Sequence, residues 1–324
     1  MKYRDLGRTG IKVSEIGFGA WGIGGATGGP YSYGPTDDDQ SRRALRKALD
    51  LGVTFYDTAD IYGYGHSETL LGSTFRGVRQ QVVIASKVGY LRHDGPQDFS
   101  PEYLRISLEG SLLRLRTDYV DIYQLHDPSL ALLRSRPDIL GALYDLKQEG
   151  KLRAFGISAR SPSDGVAAVR DLSINIVQTN FSMIDQRALD AGLFATCRAH
   201  GAAVICRTPF AFGFLTGRYS ITSTFGPDDH RSVWPQEQRD LWATAFDQFA
   251  AVIDMTSQSK AQVALRFCLS HDGVATVIPG MLSHEEVVEN TRASGLGPLP
   301  GEVCSAIRRI YEANSFFIGP VRKR

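Results

Sequence analysis

The sequence predicts an α/β fold, a barrel of eight parallel strands with an N-terminal β-hairpin and long loops at the catalytic face. Short apolar segments rich in β-branched residues alternate with amphipathic segments of helical length. Eight such strands can be counted, and repeated strand–helix units form parallel sheets that close at eight. The 324 residues, 43% hydrophobic and 22% charged, suit one globular barrel of about 250 residues or more. We therefore expect a single (β/α)8 TIM barrel domain over residues 1–324.

The strands are predicted from short β-rich apolar runs. Residues 2–14 alternate around a Gly-Arg-Thr-Gly turn, which predicts the hairpin at the surface. The barrel strands are predicted at 16–20, 54–57, 82–86, 120–125, 154–157, 174–177, 203–206 and 275–278. The loops 22–35 and 208–236 are long, as binding loops often are.

The helices are predicted from their periodicity and their capping residues. Ser67 and Ser100 are predicted N-caps, and Pro101 suits the first helical position. Gly52 and Gly201 stand just after a helix, where glycine is favoured. The predicted helices are 37–50, 67–76, 101–115, 138–149, 161–171, 187–200, 236–257, 260–270, 283–293 and 301–314.

The segment from Gly17 to Gly22 matches the G-x-G-x-x-G pattern of dinucleotide-binding loops, but its context differs. In that motif the strand turns directly into a helix that receives the pyrophosphate. Here glycines continue to Gly34, with Pro30 and Pro35 as well, so no helix can open there. An open doubly wound sheet would also have fewer strand–helix units, and we therefore favour the barrel.

Charge and cysteine usage exclude several classes of protein. A net charge of +1 gives no reason to expect nucleic acid or a membrane as partner. The four cysteines form no CxxC pair, and the seven histidines lack metal-ligand spacing, so we expect no metal and no metal-dependent hydrolase. With neither a signal-peptide core nor 18 consecutive apolar residues, we expect a soluble cytoplasmic protein. The oligomeric state stays open, and the basic run 322–324 is too short to indicate a partner.

Polar residues stand at six consecutive strand ends of the predicted barrel. Such barrels carry their active sites at the carboxyl ends of the strands, so these side chains should meet there. Singly, each has a structural explanation, such as a satisfied core histidine or a lysine at the barrel rim. The six residues are Asp57, Lys87, His126, Ser158, Gln178 and Arg207.

The chemistry that suits this set is proton donation by Tyr62, on the loop after Asp57. A free phenol has a pKa near ~10, and a neighbouring ammonium such as Lys87 should lower it. Asp57 would hold Lys87 charged, and His126 would position a carbonyl oxygen. Gln178 and Ser158 suit the carboxamide of a nicotinamide ring, which makes hydride transfer to a carbonyl the natural reaction.

The chain resembles the aldo-keto reductases along essentially its whole length. The resemblance rests on a series of short motifs: Asp57-Thr-Ala-x-x-Tyr62-Gly, Ser67-Glu68, Leu71-Gly72, Lys87, His126, Gly156-Ile-Ser158, Gln178-Thr-Asn-Phe181, Leu215-Thr-Gly-Arg218-Tyr219, Ile278-Pro-Gly280 and Glu289-Asn290. The family implies that Tyr62 is the general acid, tuned by Lys87 and Asp57, and that His126 orients the substrate.

The same resemblance implies a nicotinamide cofactor bound without a Rossmann domain. Arg218 matches a pyrophosphate contact, and Glu289 and Asn290 match adenine contacts. The further cofactor contacts that it implies are Trp21, Asp57, Ser158, Gln178, Arg207, Pro209, Ala211, Gly213, Leu215, Gly280, Met281 and Glu286.

Three positions depart from the family pattern. Ala159 replaces a common Asn after Ser158, and Arg207 stands where an aromatic ring often stacks on the nicotinamide, though its flat guanidinium could stack instead. The loop that often carries a cation for the 2′-phosphate has Glu285 and Glu286 here. NADP(H) is the family habit, but these carboxylates favour NAD(H) or weak discrimination.

The substrate is expected to be a small carbonyl compound, either an aldehyde or a ketone. Aromatic residues on the predicted catalytic-face loops suit a flat or sugar-like molecule, although each ring could equally serve only to pack a loop. They are Trp21, Tyr31, Tyr64, Tyr90 and Trp234. A regulatory subunit that senses the nicotinamide cofactor with little turnover is the alternative function.

Overall fold

The computed structural model describes residues 1–319, so the basic run 322–324 lies outside the described part. The strands are β1 (Tyr3–Asp5), β2 (Lys12–Ser14), β3 (Phe18–Gly19), β4 (Phe55–Asp57), β5 (Val83–Val88), β6 (Val120–His126), β7 (Leu152–Ser158), β8 (Ile176–Asn180), β9 (Ala203–Arg207) and β10 (Val274–Val277). The helices are α1 (Asp38–Asp50), α2 (His66–Thr74), α3 (Pro101–Leu115), α4 (Leu130–Ser135), α5 (Asp138–Gln148), α6 (Pro162–Leu172), α7 (Arg187–Asp190), α8 (Leu193–His200), α9 (Gln236–Ala243), α10 (Lys260–Leu269), α11 (His284–Leu296) and α12 (Gly301–Ala313). Within residues 1–319, each helix is too short or too polar to cross a bilayer.

The eight strands β3–β10 pair in parallel in chain order, which confirms the predicted barrel. The barrel closes where β3 meets the end of β10. There the Gly17 amide donates to the Val277 carbonyl at 2.8 Å, and the Gly19 amide donates to the Pro279 carbonyl at 2.9 Å. A Cβ at Gly19 would lie 2.8 Å from the Ile278 carbonyl oxygen. The G-x-G-x-x-G segment therefore serves the closure of the barrel.

The N-terminal hairpin, β1 paired with β2, covers the amino ends of the strands instead of standing free at the surface. Leu6, Ile11 and Val13 are buried, and they form one apolar cluster with inward-facing residues of the barrel strands. The Arg8 amide donates to the Gly201 carbonyl just before β9. This packing seals one end of the barrel and leaves the carboxyl ends of the strands for a site.

Two predicted helices are wrong in extent. The helix predicted at 187–200 is divided into α7 and α8, because Gly192 adopts a left-handed backbone with φ of +69°. The helix predicted at 236–257 ends as α9 at Ala243, and 3-10 turns follow over Ala245–Val252. The short helix α4 was not predicted.

The start of α2 also differs from the prediction. The helix begins at His66 after Gly65, whose φ is +92°, so Ser67 is not its N-cap. The Ser67 hydroxyl instead donates to the Ala20 carbonyl at 2.8 Å and contacts the Thr58 hydroxyl. Ser67 thus ties α2 to the ends of β3 and β4, beside the predicted site.

Gly72 of α2 packs against the end of α3, and this contact predicts a stability effect. A Cβ there would lie 2.6 Å from the Leu115 carbonyl carbon and would also meet the Arg114 carbonyl oxygen. Because the clashing atoms belong to the backbone and cannot move aside at little cost, we expect Gly72→Ala to lower the free energy of unfolding by about 1–3 kcal/mol. The control is Gly141→Ala in α5, exposed and with open space at its Cβ. In urea unfolding, the free energy of unfolding of Gly141→Ala should rise by up to about 1 kcal/mol. Equal changes in the two variants would contradict the packing argument.

Candidate active site

A cavity of about 870 Å³ opens at the carboxyl ends of the barrel strands. Most of the site residues that we predicted from sequence line it. They are Trp21, Asp57, Tyr62, His126, Gln178, Arg207, Pro209, Ala211, Gly213, Arg218, Gly280, Glu286, Glu289 and Asn290. The other four, Lys87, Ser158, Leu215 and Met281, are fully buried behind the cavity wall.

Asp57, Tyr62 and Lys87 meet at the base of the cavity. Lys87 lies on β5 with none of its surface exposed, and its ammonium contacts Asp57 Oδ1 at 2.5 Å. The same Nζ donates to the Tyr62 hydroxyl at 3.1 Å and to the Thr58 carbonyl at 2.9 Å. All three ammonium hydrogens therefore have acceptors, which fixes the nitrogen beside the phenol.

Burial changes the ionisation that we expected for this pair. Burial raises the pKa of Tyr62, and the Lys87 ammonium offsets only part of that effect. The phenol is therefore less acidic than an ordinary tyrosine, contrary to the prediction, which had weighed the charge without the burial. Burial lowers the pKa of Lys87, but Asp57 and Tyr62 together outweigh it and raise that pKa above its usual value. At neutral pH the site thus holds a neutral phenol beside a charged lysine.

His126 ends β6, and its ring is nearly perpendicular to the Tyr62 ring, with 6.1 Å between the two ring centroids. Burial lowers the pKa of His126 to about 3, and the nearby cations Lys87 and Arg207 add to the shift. Its imidazole is therefore neutral near pH 7. A neutral imidazole has one N–H to donate, which suits contact with a carbonyl oxygen.

The second carboxylate oxygen of Asp57 is held by two glutamines. Gln178 Nε2 donates to Asp57 Oδ2 at 2.7 Å, and Gln124 Nε2 donates to the same atom at 3.2 Å. Gln124 was missed, although a glutamine between the apolar residues Tyr123 and Leu125 of strand β6 was the signal that could have identified it. Part of the Gln178 amide that we had reserved for a nicotinamide is thus engaged in supporting Asp57.

A second polar cluster, also missed, surrounds Asp127 directly after His126. Its carboxylate accepts a hydrogen bond from the Tyr90 hydroxyl at 3.3 Å and from the Ser158 hydroxyl at 3.2 Å. Arg207 Nη2 lies 3.6 Å from Asp127 Oδ1. Asp127 and Arg207 both line the cavity. Ser158 is therefore placed behind Asp127, away from the cavity surface.

The part of the cavity lined by the loop after β9 and by α11, here called its far end, carries features that suit an anionic ligand. Thr208, Ala211, Phe212 and Gly213 all have left-handed backbone, with φ between +45° and +96°. Clustered left-handed residues turn the chain into concavities of the kind that bind anions. These four residues follow β9, so the cavity continues from the catalytic end along this loop.

Arg218 lies at this far end with its charge already shared. It pairs with Glu286, and its Nη2 lies 3.5 Å from Glu289 Oε2. Glu286 also accepts a hydrogen bond from the Leu282 amide at 2.7 Å. Glu285, in contrast, is exposed on the first turn of α11 and is not among the described residues that line the cavity. The charge argument for NAD(H) therefore rests on Glu286 alone.

Four of the five predicted loop aromatics line the cavity, and the fifth, Tyr64, is 57% exposed near its rim. Trp21 Nε1 donates to the Tyr31 carbonyl at 2.9 Å. Arg231 stacks over Tyr33 and Tyr219, with 4.7 Å and 4.5 Å from its guanidinium carbon to the ring centroids. These contacts tie the loops 22–35 and 208–236 together over the cavity.

The chain is similar to known proteins along nearly its whole length. The family model described as Aldo/keto reductase family matches residues 15–312. L-galactose dehydrogenase of Arabidopsis thaliana is 32% identical, with 96% of this chain and 95% of that protein covered. NADH-specific methylglyoxal reductase of Escherichia coli is 31% identical, with 97% and 99% covered. The solved structure of the aldo-keto reductase AKR11C1 from Bacillus halodurans, in its holo form, gives a TM-score of 0.79 at 30% identity over 97% of this chain and 98% of that one. The matched segment includes every predicted site residue.

Proposed function

The chain belongs to the aldo/keto reductase family, and from this premise we propose that it reduces an aldehyde or ketone to an alcohol with NAD(P)H. The observation that carries the proposal is the contact between the Tyr62 hydroxyl and the Lys87 ammonium, 3.1 Å apart at the base of the cavity. A small carbonyl compound is the proposed partner. Oxidation of the alcohol would use the same groups in reverse.

The residues present fit a nicotinamide dinucleotide. The cavity is long and continuous, and its far end combines the left-handed loop 208–213 with Arg218. At its catalytic end, the buried Nε of Arg207 has no hydrogen-bond partner within residues 1–319. Arg207 and Gln178 would hold the nicotinamide end, and Arg218 and Asn290 the adenosine end. When bound, the reduced nicotinamide supplies a hydride to the carbonyl carbon.

The residues of this chain orient the carbonyl and move one proton. The neutral imidazole of His126 donates its N–H to the carbonyl oxygen, and the Tyr62 hydroxyl gives that oxygen its proton, which makes the alcohol O–H. The raised pKa of Tyr62 keeps this proton in place beforehand. The phenolate that remains gains most from the Lys87 ammonium, which Asp57 holds in position. This stabilisation grows as the proton leaves, so it favours the transition state over the ground state.

The test is an activity screen of the purified protein. NADH and NADPH are each mixed with 4-nitrobenzaldehyde, an activated aldehyde, and oxidation of the cofactor is followed at its absorbance maximum. We expect steady turnover with at least one cofactor. Tight cofactor binding with no turnover of any aldehyde, ketone, sugar or alcohol in a wider panel would overturn the proposal and favour the cofactor-sensing subunit.

Cofactor preference gives a separate prediction, because the family resemblance implies that the 2′-phosphate of NADPH would lie near Glu286 and meet a like charge. We expect kcat/KM for NADH to exceed that for NADPH in the wild type. Glu286→Gln should raise kcat/KM for NADPH by about tenfold, since it removes the repulsion and releases Arg218 from an ion pair. The measurement is the ratio of the two kcat/KM values. Glu285→Gln is the matched control, because that neighbour is exposed, and it should leave the ratio within about twofold. A wild type that strongly prefers NADPH contradicts the role of Glu286.

We also propose that residues 1–324 form one barrel domain that works in the cytoplasm. The proposed compartment is supported by the cysteines, since all four are free thiols: Cys197, Cys206, Cys268 and Cys304. Free thiols suit a reducing compartment.

A further inference from the structure

Asp127 has left-handed backbone in the wall of the cavity, a conformation that aspartate adopts more readily than most residues. Its φ is +52°, in the left-handed region that residues other than glycine seldom occupy. The surrounding structure holds it there: its amide donates to the Ser158 carbonyl at 2.9 Å, and its carbonyl accepts from Arg160 Nε at 2.5 Å and Gln97 Nε2 at 3.3 Å. These bonds fix the backbone of Asp127 directly beside His126.

The Asp127 carboxylate is buried, ionised and loosely bonded. Burial raises the pKa of this carboxyl, but Arg207, His126 and the two hydroxyls of Ser158 and Tyr90 outweigh the burial and lower it. Its contacts to Tyr90, Ser158 and Arg207 measure 3.3, 3.2 and 3.6 Å, all longer than a strong hydrogen bond to a carboxylate. A carboxylate can accept about four hydrogen bonds. Asp127 therefore has capacity for a closer donor from the cavity that it lines.

The position of Asp127 limits what that donor can be. His126 and Asp127 are consecutive, so their Cα atoms lie about 3.8 Å apart. Both side chains line the cavity. Tyr90 contacts both residues: its ring centroid lies 5.0 Å from that of His126, and its hydroxyl donates to the Asp127 carboxylate. If His126 holds the carbonyl oxygen of a substrate, a group that reaches Asp127 therefore belongs to an atom near that carbonyl.

We propose that Asp127 selects carbonyl compounds that carry a hydroxyl on the carbon next to the carbonyl, by accepting a hydrogen bond from that hydroxyl. This inference rests on the proposed function, because it takes the carbonyl oxygen to lie at Tyr62 and His126. The Arg207 guanidinium lines the same part of the cavity and offers N–H donors to the hydroxyl oxygen. A hydroxyl is both a donor and an acceptor, so the pair of Asp127 and Arg207 matches both of its needs. The substrate class is a 2-hydroxy aldehyde or ketone, the chemistry of open-chain sugars.

The test compares two aldehydes that differ by this one hydroxyl. kcat/KM is measured for 2-hydroxypropanal, as each enantiomer, and for propanal, in the wild type and in Asp127→Asn. Asn tolerates left-handed backbone, so the variant removes the charge while the fold is kept. We expect the wild type to prefer one enantiomer of 2-hydroxypropanal over propanal by about 10- to 100-fold, and the variant to lose most of this preference, because kcat/KM falls more for 2-hydroxypropanal than for propanal.

Controls separate this inference from a structural role and from the proposed function. Asp272→Asn changes an exposed aspartate that does not line the cavity, and it should keep the preference of the wild type. An equal loss for both aldehydes in Asp127→Asn, or a weaker Kd for NADH in that variant by fluorescence titration, would overturn the assignment of Asp127 to the substrate. A wild type that reduces both aldehydes equally well would overturn it too, yet would leave the proposed function standing. A wild type that reduces neither aldehyde also overturns it, and the wider substrate panel described above then decides the proposed function separately.

Discussion

Tyr62→Phe is expected to lower kcat by about 10²–10⁴-fold, the usual scale for a general acid. Phenylalanine keeps the ring against His126 and removes only the hydroxyl that contacts Lys87 at 3.1 Å. The carbonyl oxygen would then lack its proton donor, while the groups at the far end of the cavity are unchanged. The Kd for NADH or NADPH, measured by fluorescence titration, should therefore stay within about twofold.

Tyr64→Phe is the matched control for this prediction. Tyr64 lies two residues further along the same loop, is 57% exposed and carries the same hydroxyl. We expect its kcat to stay within about twofold of the wild type. A Tyr62→Phe variant with near-normal kcat would assign the acid elsewhere, and equal losses in both variants would indicate damage to the loop instead of loss of a proton donor.

Lys87→Met is expected to cost both stability and activity. Lys87 is fully buried, and its removal leaves the Asp57 carboxylate buried with only the two glutamine donors. Breaking one partner of a buried ion pair typically lowers the free energy of unfolding by about 3–5 kcal/mol. The loss should appear as a lower midpoint in urea unfolding, followed by circular dichroism. In the folded variant, kcat should also fall, because the Tyr62 phenolate loses its neighbouring ammonium.

The double variant Asp57→Asn with Lys87→Met separates the two effects. With both charges removed, the uncompensated carboxylate disappears, and we expect at least about 2 kcal/mol of the stability to return. Turnover should remain as low as in Lys87→Met. Recovered activity in the double variant would show that the ion pair serves the fold alone. A Lys87→Met variant as stable as the wild type would mean that the pair is not held as the structure shows it.

The fold was predictable wherever local periodicity decided the outcome. The barrel strands are short apolar runs, so their order and number followed from the sequence. The helix predicted at 187–200 failed because Gly192 adopts left-handed backbone inside a segment that otherwise has helical periodicity. The G-x-G-x-x-G segment was rightly set apart from a phosphate loop, but its role in barrel closure required knowing that β3 and β10 are neighbours.

Of the candidate site, the sequence could predict mainly the residues that stand at or just after the ends of strands. Asp57 and Lys87 stand at neighbouring strand ends, and the structure brings them together. The pKa of Tyr62 could not be judged from its sequence neighbours, because it depends on how deeply the folded chain buries the phenol. Asp127 was overlooked because its proposed role depends on Arg207, which lies far along the chain and approaches it only in the barrel.

The hairpin that seals the amino ends of the strands also affects how molecules exchange. With that side filled by Leu6, Ile11 and Val13, the proposed dinucleotide and carbonyl compound would have to enter and leave on the loop-covered side. Access to the cavity from this side depends on the loops 22–35 and 208–236, which the Arg231 guanidinium holds together by stacking on aromatic rings. If these loops must open for each product to leave, we expect product release, and not the chemical step, to limit turnover.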